Sequence, residues 1–199
     1  MKIIECEQGA PEWKAARCGI PTSSNFDKIV TTKGEPSKSR EKYLLQLAGE
    51  SITGVSEETY QNAAMQRGTE MEPEARQAYE FISGSEVKQV GIYLTTGKFI
   101  CGASPDGVIG DDGLLEIKCP SMAVHVGYLL SNALPLDYYQ QVQGQLFVTK
   151  RKWCDFFSYY PGLRPLLVRV HPDKDFVKSL AIELEIFCAS LKEITEKIR

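Results

Sequence analysis

Histidine is scarce in this sequence, with two in 199 residues, and the six cysteines form no C-x-x-C pair. That combination argues against a zinc ribbon, a clustered iron–sulfur centre and a His-pair metal site, which all need ligands at short fixed spacing. No apolar run is long enough to span a bilayer, and no secretory signal is evident. The chain therefore reads as cytosolic, with reduced thiols and no membrane partner. A positive charge excess is missing too: 23 Lys and Arg face 26 Asp and Glu, a net −3. That shortage does not exclude nucleic acid. A basic channel can lie inside an acidic exterior, and carboxylates that hold a cation add negative charge which the cation offsets. Repeats and low-complexity segments are absent as well. What remains is an ordinary globular composition, 43% hydrophobic and 25% charged. The length fits one domain, 1–199, with a substantial core.

The most informative stretch is Ser104 to Pro120, S-P-D-G-V-I-G-D-D-G-L-L-E-I-K-C-P. Asp106 follows an apolar run, Lys98 to Ala103, and Asp112-Gly113 is a hairpin dipeptide. In the strand that follows, alternate residues share a face, so Glu116 and Lys118 point one way and Leu115 and Ile117 the other. E-x-K alone is usually a surface salt pair. Asp106 ten residues before Glu116, with apolar strands around both, changes the balance. Buried charges need partners, and a metal or a phosphate is the expected one. Magnesium favours oxygen ligands, often one or two carboxylates plus phosphate oxygens, and Asp106 and Glu116 can supply that pair. Lys118 can hold an attacking water, or shed a proton if desolvation lowers its pKa.

Along the chain, Pro11 suits a first helical position, with Trp13, Ala16 and Arg17 following and Gly19 as a stop. Thr22, Ser23 and Ser24 are N-cap types before Phe26, Ile29 and Val30, which predicts a second helix. An arginine beside a helix N-terminus suits phosphate, although Arg17 can equally cap or salt-bridge locally. Ser104 can add a hydroxyl beside Asp106. Arg40 to Gly49 reads as a helix and Ser51 to Glu58 as a loop. Tyr60 to Phe81 is helical in pattern, with a break expected near Glu72 or a new helix at Pro73. Glu70, Glu72 and Glu74 fit the acidic first turn of such a helix. Val87 to Leu94 reads as a strand and Met122 to Asn132 as a helix. Asp137 to Val148 is a helix capped by Asp137, and its glutamines are of the kind that normally face solvent. Trp153 to Tyr160 and Leu166 to Val170 are strands, and Asp173 to Arg199 is a long amphipathic helix. His125 and His171 are read as structural or surface residues. Two basic clusters, Lys33, Lys38, Arg40 and Lys42, and Lys150 to Lys152, are more often solvated faces than binding sites.

P-D…E-x-K resembles the core of the PD-(D/E)xK nucleases. R-G-T-E-M-E-P-E-A-R, S-P-D-G, L-E-I-K-C-P and Y-Y-Q-Q-V-Q, in that order, are similar to the phage lambda-type exonucleases, or YqaJ-like viral recombinases. The resemblance runs from about Glu7 to about Val170. It implies an α/β (α+β) restriction-endonuclease-like core, a central mixed β-sheet flanked by helices. It implies a magnesium-dependent 5′→3′ exonuclease on linear duplex DNA, leaving 3′ tails for phage-type recombination. Asp106, Glu116, Lys118, Gln141 and Gln143 would be catalytic, with metal held by Asp106, Glu116, the Ile117 carbonyl and Glu72. Two ions are implied, with manganese as a substitute. Arg17 and Ser24 would bind the 5′-phosphate, joined by Ser104. A homotrimer, a single-strand annealing partner and a phage or prophage setting in a bacterial host are implied as well. The alternatives are a site-specific endonuclease of the same superfamily and a non-catalytic DNA-binding module. No role is assigned to Gly144.

Overall fold

Leu114 and Leu115 are neighbours in the chain yet lie in different hydrophobic cores, and the strand between those cores organises the fold. The computed structural model describes residues 1–56 and 63–199, with side chains from 66 onward in the second segment. Its elements in chain order begin with β1 (Lys2–Ile4), α1 (Pro11–Arg17), a 3-10 helix (Ser23–Lys28) and α2 (Arg40–Thr53). Next come α3 (Ala63–Ser83), β2 (Ile92–Leu94), β3 (Gly102–Ala103), β4 (Gly107–Ile109) and β5 (Gly113–Lys118). The chain closes with α4 (Met122–Ser131), a 3-10 turn (Leu136–Tyr138), α5 (Tyr139–Thr149), β6 (Trp153–Ser158), β7 (Leu166–Val170) and α6 (Lys174–Ile198).

The strands β4-β5-β6-β7 form one sheet in that order, parallel only between β5 and β6. The register sets Glu116 opposite Phe156 and Lys118 opposite Ser158. A separate antiparallel sheet runs β1-β2-β3. Helices flank both faces of the mixed sheet, as the resemblance implies. Leu114 and Phe156 face the larger core, which α2, α5, α6 and Phe26 complete. Leu115, Ile117 and Phe157 face the smaller one, closed by Ala75 and Tyr79 of α3. A polar clamp fastens α3 to that face: the Tyr79 hydroxyl donates to Asp155 Oδ2 at 2.7 Å. Arg169 donates to the same buried carboxylate from the edge strand, at 2.8 and 2.9 Å.

Several expectations change. The helix predicted at Thr22–Ser24 is a short 3-10 segment without a side-chain cap, because the Thr22 and Ser24 hydroxyls accept from Arg17 instead. Helix α2 runs on to Thr53, so the predicted loop from Ser51 shrinks, and its end at 57–58 lies outside the described residues. The start of the next predicted helix, Tyr60 to 62, also lies outside them. No break occurs at Pro73: α3 continues through it. A proline forfeits one backbone donor, and packing of Ala75 and Tyr79 on the sheet holds the helix together past it. The strand expected from Val87 shortens to Ile92–Leu94 because the chain changes sheets, Lys88 bridging Val108 of β4 while Ile92 pairs with β1. Asp137 lies in a 3-10 turn rather than capping α5, and β6 ends at Ser158.

Gly144 acquires a role. A Cβ there would lie 2.4 Å from Phe26 Cδ2 and 3.2 Å from Ser23 Cβ. Its absence lets the 3-10 segment lie directly on α5, and Phe26, fully buried, has no room to yield. Gly144→Ala gains helix propensity but overpacks this contact, so a net loss of about 1–2 kcal/mol in urea unfolding is expected. A variant as stable as wild type would mean that the contact relaxes freely.

Candidate functional site

Three carboxylates and one lysine gather at the end of β5. Asp106 lies just ahead of β4, and its Oδ2 accepts the Ile117 backbone N–H at 2.6 Å, which ties the two strands of the hairpin together. Glu116, 1% exposed, points to the opposite face from Leu115, as the alternation predicts. Its Oε1 lies 2.5 Å from Lys118 Nζ and accepts Gln141 Nε2 at 2.6 Å. Its Oε2 accepts Gln145 Nε2 at 2.5 Å. Lys118 also sits 5.0 Å from the centre of the Tyr138 ring. Glu72 approaches from α3, paired one turn on with Arg76 at 2.5 Å. Its neighbours turn elsewhere: Glu70 accepts from Gln66 and Glu74 from the Tyr159 hydroxyl. Glu72 is thus the glutamate of that motif in electrostatic reach of Glu116 and Lys118.

The crowding shows in the titration. Burial pushes the Asp106 pKa well above the usual carboxylate range, and Glu116 and Glu72 add to it. Burial likewise raises Glu72, with Glu116 contributing. For Lys118, burial pulls downward, but Glu116 and Asp106 outweigh it and the pKa rises. The two carboxylates thus offset the lowering by burial on which proton loss from Lys118 is conditional.

The donor set is hard oxygen. Asp106 uses one oxygen on Ile117, while both oxygens of Glu116 are covered by amide donors and an ammonium group. Among the described residues no group of three or more His, Cys, Asp or Glu forms a ready-made metal cage. Two carboxylates completed by water and substrate oxygens suit magnesium, which seldom takes an all-protein cage. The residues present fit such an ion.

A second cluster lies two residues upstream of Asp106. Arg17 Nη1 reaches Ser104 Oγ at 3.4 Å, and Nη2 donates to Ser24 Oγ at 2.9 Å and Thr22 Oγ1 at 3.2 Å. The guanidinium lies 4.2 Å from the Trp13 ring centre, and Trp13 Nε1 donates to Ser104 Oγ at 2.9 Å. The three residues singled out in the sequence, Arg17, Ser24 and Ser104, thus meet in one pocket. Burial lowers the Arg17 pKa, with Tyr43 and Glu50 acting against it. The pocket consists of side chains. The six-residue 3-10 segment is too short to supply the helix dipole expected there.

Gln143 does not join the site. It donates to the His171 carbonyl and accepts the Asp173 N–H, anchoring the start of α6. Positions 141 and 143 diverge on a helix, whereas 141 and 145 share a face. Gln145 is accordingly the residue missed, and helical spacing alone would have selected it. Trp13 was open to the same reasoning, four residues before Arg17 on α1. Gln8 carried no signal in the sequence, yet its Nε2 donates to the carbonyls of Val90 and Pro105 and so steadies the S-P-D turn. The histidines are structural or exposed as read: His125 is buried between Ser158 Oγ and the Arg164 carbonyl, and His171 is exposed.

The fold and the chain have known relatives. The structure superposes on an alkaline exonuclease from Laribacter hongkongensis with a TM-score of 0.85 and 36% identity, over 95% of this chain and 96% of that one. The same enzyme has been solved in complex with dAMP. A phage related exonuclease from Haemophilus somnus 129PT shares the fold, with a TM-score of 0.73 and 14% identity over 90% of this chain and 96% of that one. An uncharacterized protein, R354, of Acanthamoeba polyphaga mimivirus is 30% identical over 170 residues. That match takes in 79% of this chain but 30% of the viral protein, so the chain spans less than a third of it. The model of the YqaJ-like viral recombinase domain matches residues 12–152, and the chain belongs to that family.

Proposed function

We propose that this protein is a magnesium-dependent exonuclease that degrades linear duplex DNA from the 5′ end and leaves 3′ single-stranded tails for recombination. The observation that carries the reading is the closeness of two clusters along one short turn: Ser104 in the arginine pocket and Asp106 in the carboxylate cluster. Similarity to the Laribacter alkaline exonuclease supports nuclease chemistry. Asp106, Glu116 and the Ile117 carbonyl would hold magnesium, or manganese in its place, and Glu72 would hold or orient a second ion. Such cations polarise the phosphate and make bound water acidic. Among the chain's own groups, Gln141 and Gln145 fix the Glu116 carboxylate, so its orientation is set before substrate arrives. The Lys118 ammonium offsets negative charge that builds on the phosphate oxygens.

Direction requires recognition of a strand end. A terminal 5′-phosphate carries more charge than a bridging phosphodiester, and the Arg17 fork can bind two of its oxygens in a way lysine cannot copy. Ser24 and Ser104 add hydroxyls. The stacked Trp13 ring keeps the guanidinium plane oriented. A homotrimer, a single-strand annealing partner and a phage or prophage setting in a bacterial cytoplasm belong to this reading through family membership alone.

Asp106→Asn and Glu116→Gln are each expected to lower magnesium-dependent digestion of linear duplex by at least about a hundredfold, with circular duplex left intact by every form. Lys118→Ala should lower kcat by a similar factor and change KM little. Wild-type rates in either carboxylate variant, or cleavage of covalently closed circles by wild type, would refute the assignment. Arg17→Ala should collapse the ratio of rates on 5′-phosphorylated and 5′-hydroxyl duplexes, compared at equal salt because phosphate contacts are salt-sensitive. An unchanged ratio would place end recognition elsewhere.

A further inference from the structure

Glu50 is buried, 5% exposed, on the last turn of α2, and the function proposed above makes no use of it. Its Oε2 accepts the backbone N–H of Gly19 at 3.0 Å. Its Oε1 accepts Gln46 Nε2 at 2.9 Å and Ser56 Oγ at 3.4 Å. The contact with the turn after Arg17 is close and repeated. Cys18 Sγ donates to the Glu50 carbonyl at 3.5 Å, and Ser51 Oγ donates to the Gly19 carbonyl at 3.4 Å. Gly19 has φ +67°, and a Cβ on it would fall 2.4 Å from Ser51 Oγ and 3.0 Å from Ser51 backbone atoms. The turn therefore lies directly on the end of α2.

Within the loop, Thr22 Oγ1 accepts Arg17 Nη2 and lies 3.2 Å from Ser24 Oγ. The loop that carries Arg17 and Ser24 is thus pinned to α2 at Cys18 and Gly19. A buried carboxylate near a guanidinium also keeps that cation favourable where water is scarce. The Arg17 chain end is set by this brace rather than by its own seven-residue helix, which buries no residue.

We propose that Glu50 is a positioning residue for the Arg17 pocket: by holding the Gly19 amide it fixes where the guanidinium presents its fork, and so it sets preference for a terminal phosphate. This rests on Arg17 being the end-binding group. The test is a double-mutant cycle in the full-length protein with 5′-phosphorylated and 5′-hydroxyl linear duplexes. Glu50→Gln is nearly isosteric and should lower the phosphorylated-to-hydroxyl rate ratio by about fivefold or more, while adding nothing to that ratio in an Arg17→Ala background, as coupled neighbours do. If Glu50→Gln fails to fold by thermal unfolding, Glu50→Asp carries the test, since it keeps the charge but withdraws it from the Gly19 amide. An unchanged ratio, equal losses on both duplexes, or an additive effect in the Arg17→Ala background would each overturn the proposal. Should Arg17→Ala itself leave the ratio unchanged, the end-binding reading fails first and the brace falls with it. A normal collapse in Arg17→Ala with none in Glu50→Gln refutes the brace alone.

Discussion

The bond from the Ile117 amide to Asp106 is the constraint on which the candidate site depends. It is a charge-assisted bond across a hairpin whose loop already sets the register, Gly107 against Leu115 and Ile109 against Gly113. Once it forms, Asp106 must lie beside β5. Period-two alternation then places Glu116 and Lys118 on one face, next to α5, and leaves Leu115 and Ile117 to bind α3 from the other. Helix α3 delivers Glu72 through that second face. The smaller core and its Tyr79–Asp155–Arg169 clamp therefore serve the site indirectly, by fixing the helix that carries its third carboxylate.

Gathering like charges in a buried place is costly, and the structure shows how the cost is distributed. Burial, with a smaller contribution from neighbouring carboxylates, raises the pKa values of Asp106 and Glu72. Lys118, Gln141 and Gln145 absorb part of the cost by donating to Glu116. A divalent cation would relieve the remainder, which is the electrostatic reason to read the cluster as a metal site rather than as a salt bridge. The arginine pocket follows the opposite logic: one half-buried cation among hydroxyl groups and an aromatic face, with the carboxylate of Glu50 held against the Gly19 amide two residues on. One cluster suits a cation and the other an anion, and the S-P-D turn joins them.

Much of this was readable in the residues because it is local or periodic. The hairpin, the shared face of Glu116 and Lys118, the proline-started α1 and the amphipathic α6 all follow from short-range rules. What was not readable depends on three-dimensional neighbours. Whether Thr22 and Ser24 begin a helix or serve Arg17 is decided by where Ser104 and Gly144 arrive. Pro73 breaks a helix in isolation, but not one held on a sheet by Ala75 and Tyr79. The glutamines show both cases: a motif match selected Gln141 and Gln143, while helical spacing pairs Gln141 with Gln145 and sends Gln143 to α6. The sign of the Lys118 shift was also out of reach, since burial and two nearby carboxylates pull in opposite directions and only geometry weighs them.

The account stands or falls on the carboxylates at the end of β5 being a cation site. Its most direct test is an anomalous-difference map from crystals grown with manganese at a concentration that supports DNA digestion. The account predicts a peak bonded to Asp106 and Glu116, lost in Asp106→Asn crystals. Crystals of active protein with no peak between those two carboxylates, or with one only at a distant site, would contradict it.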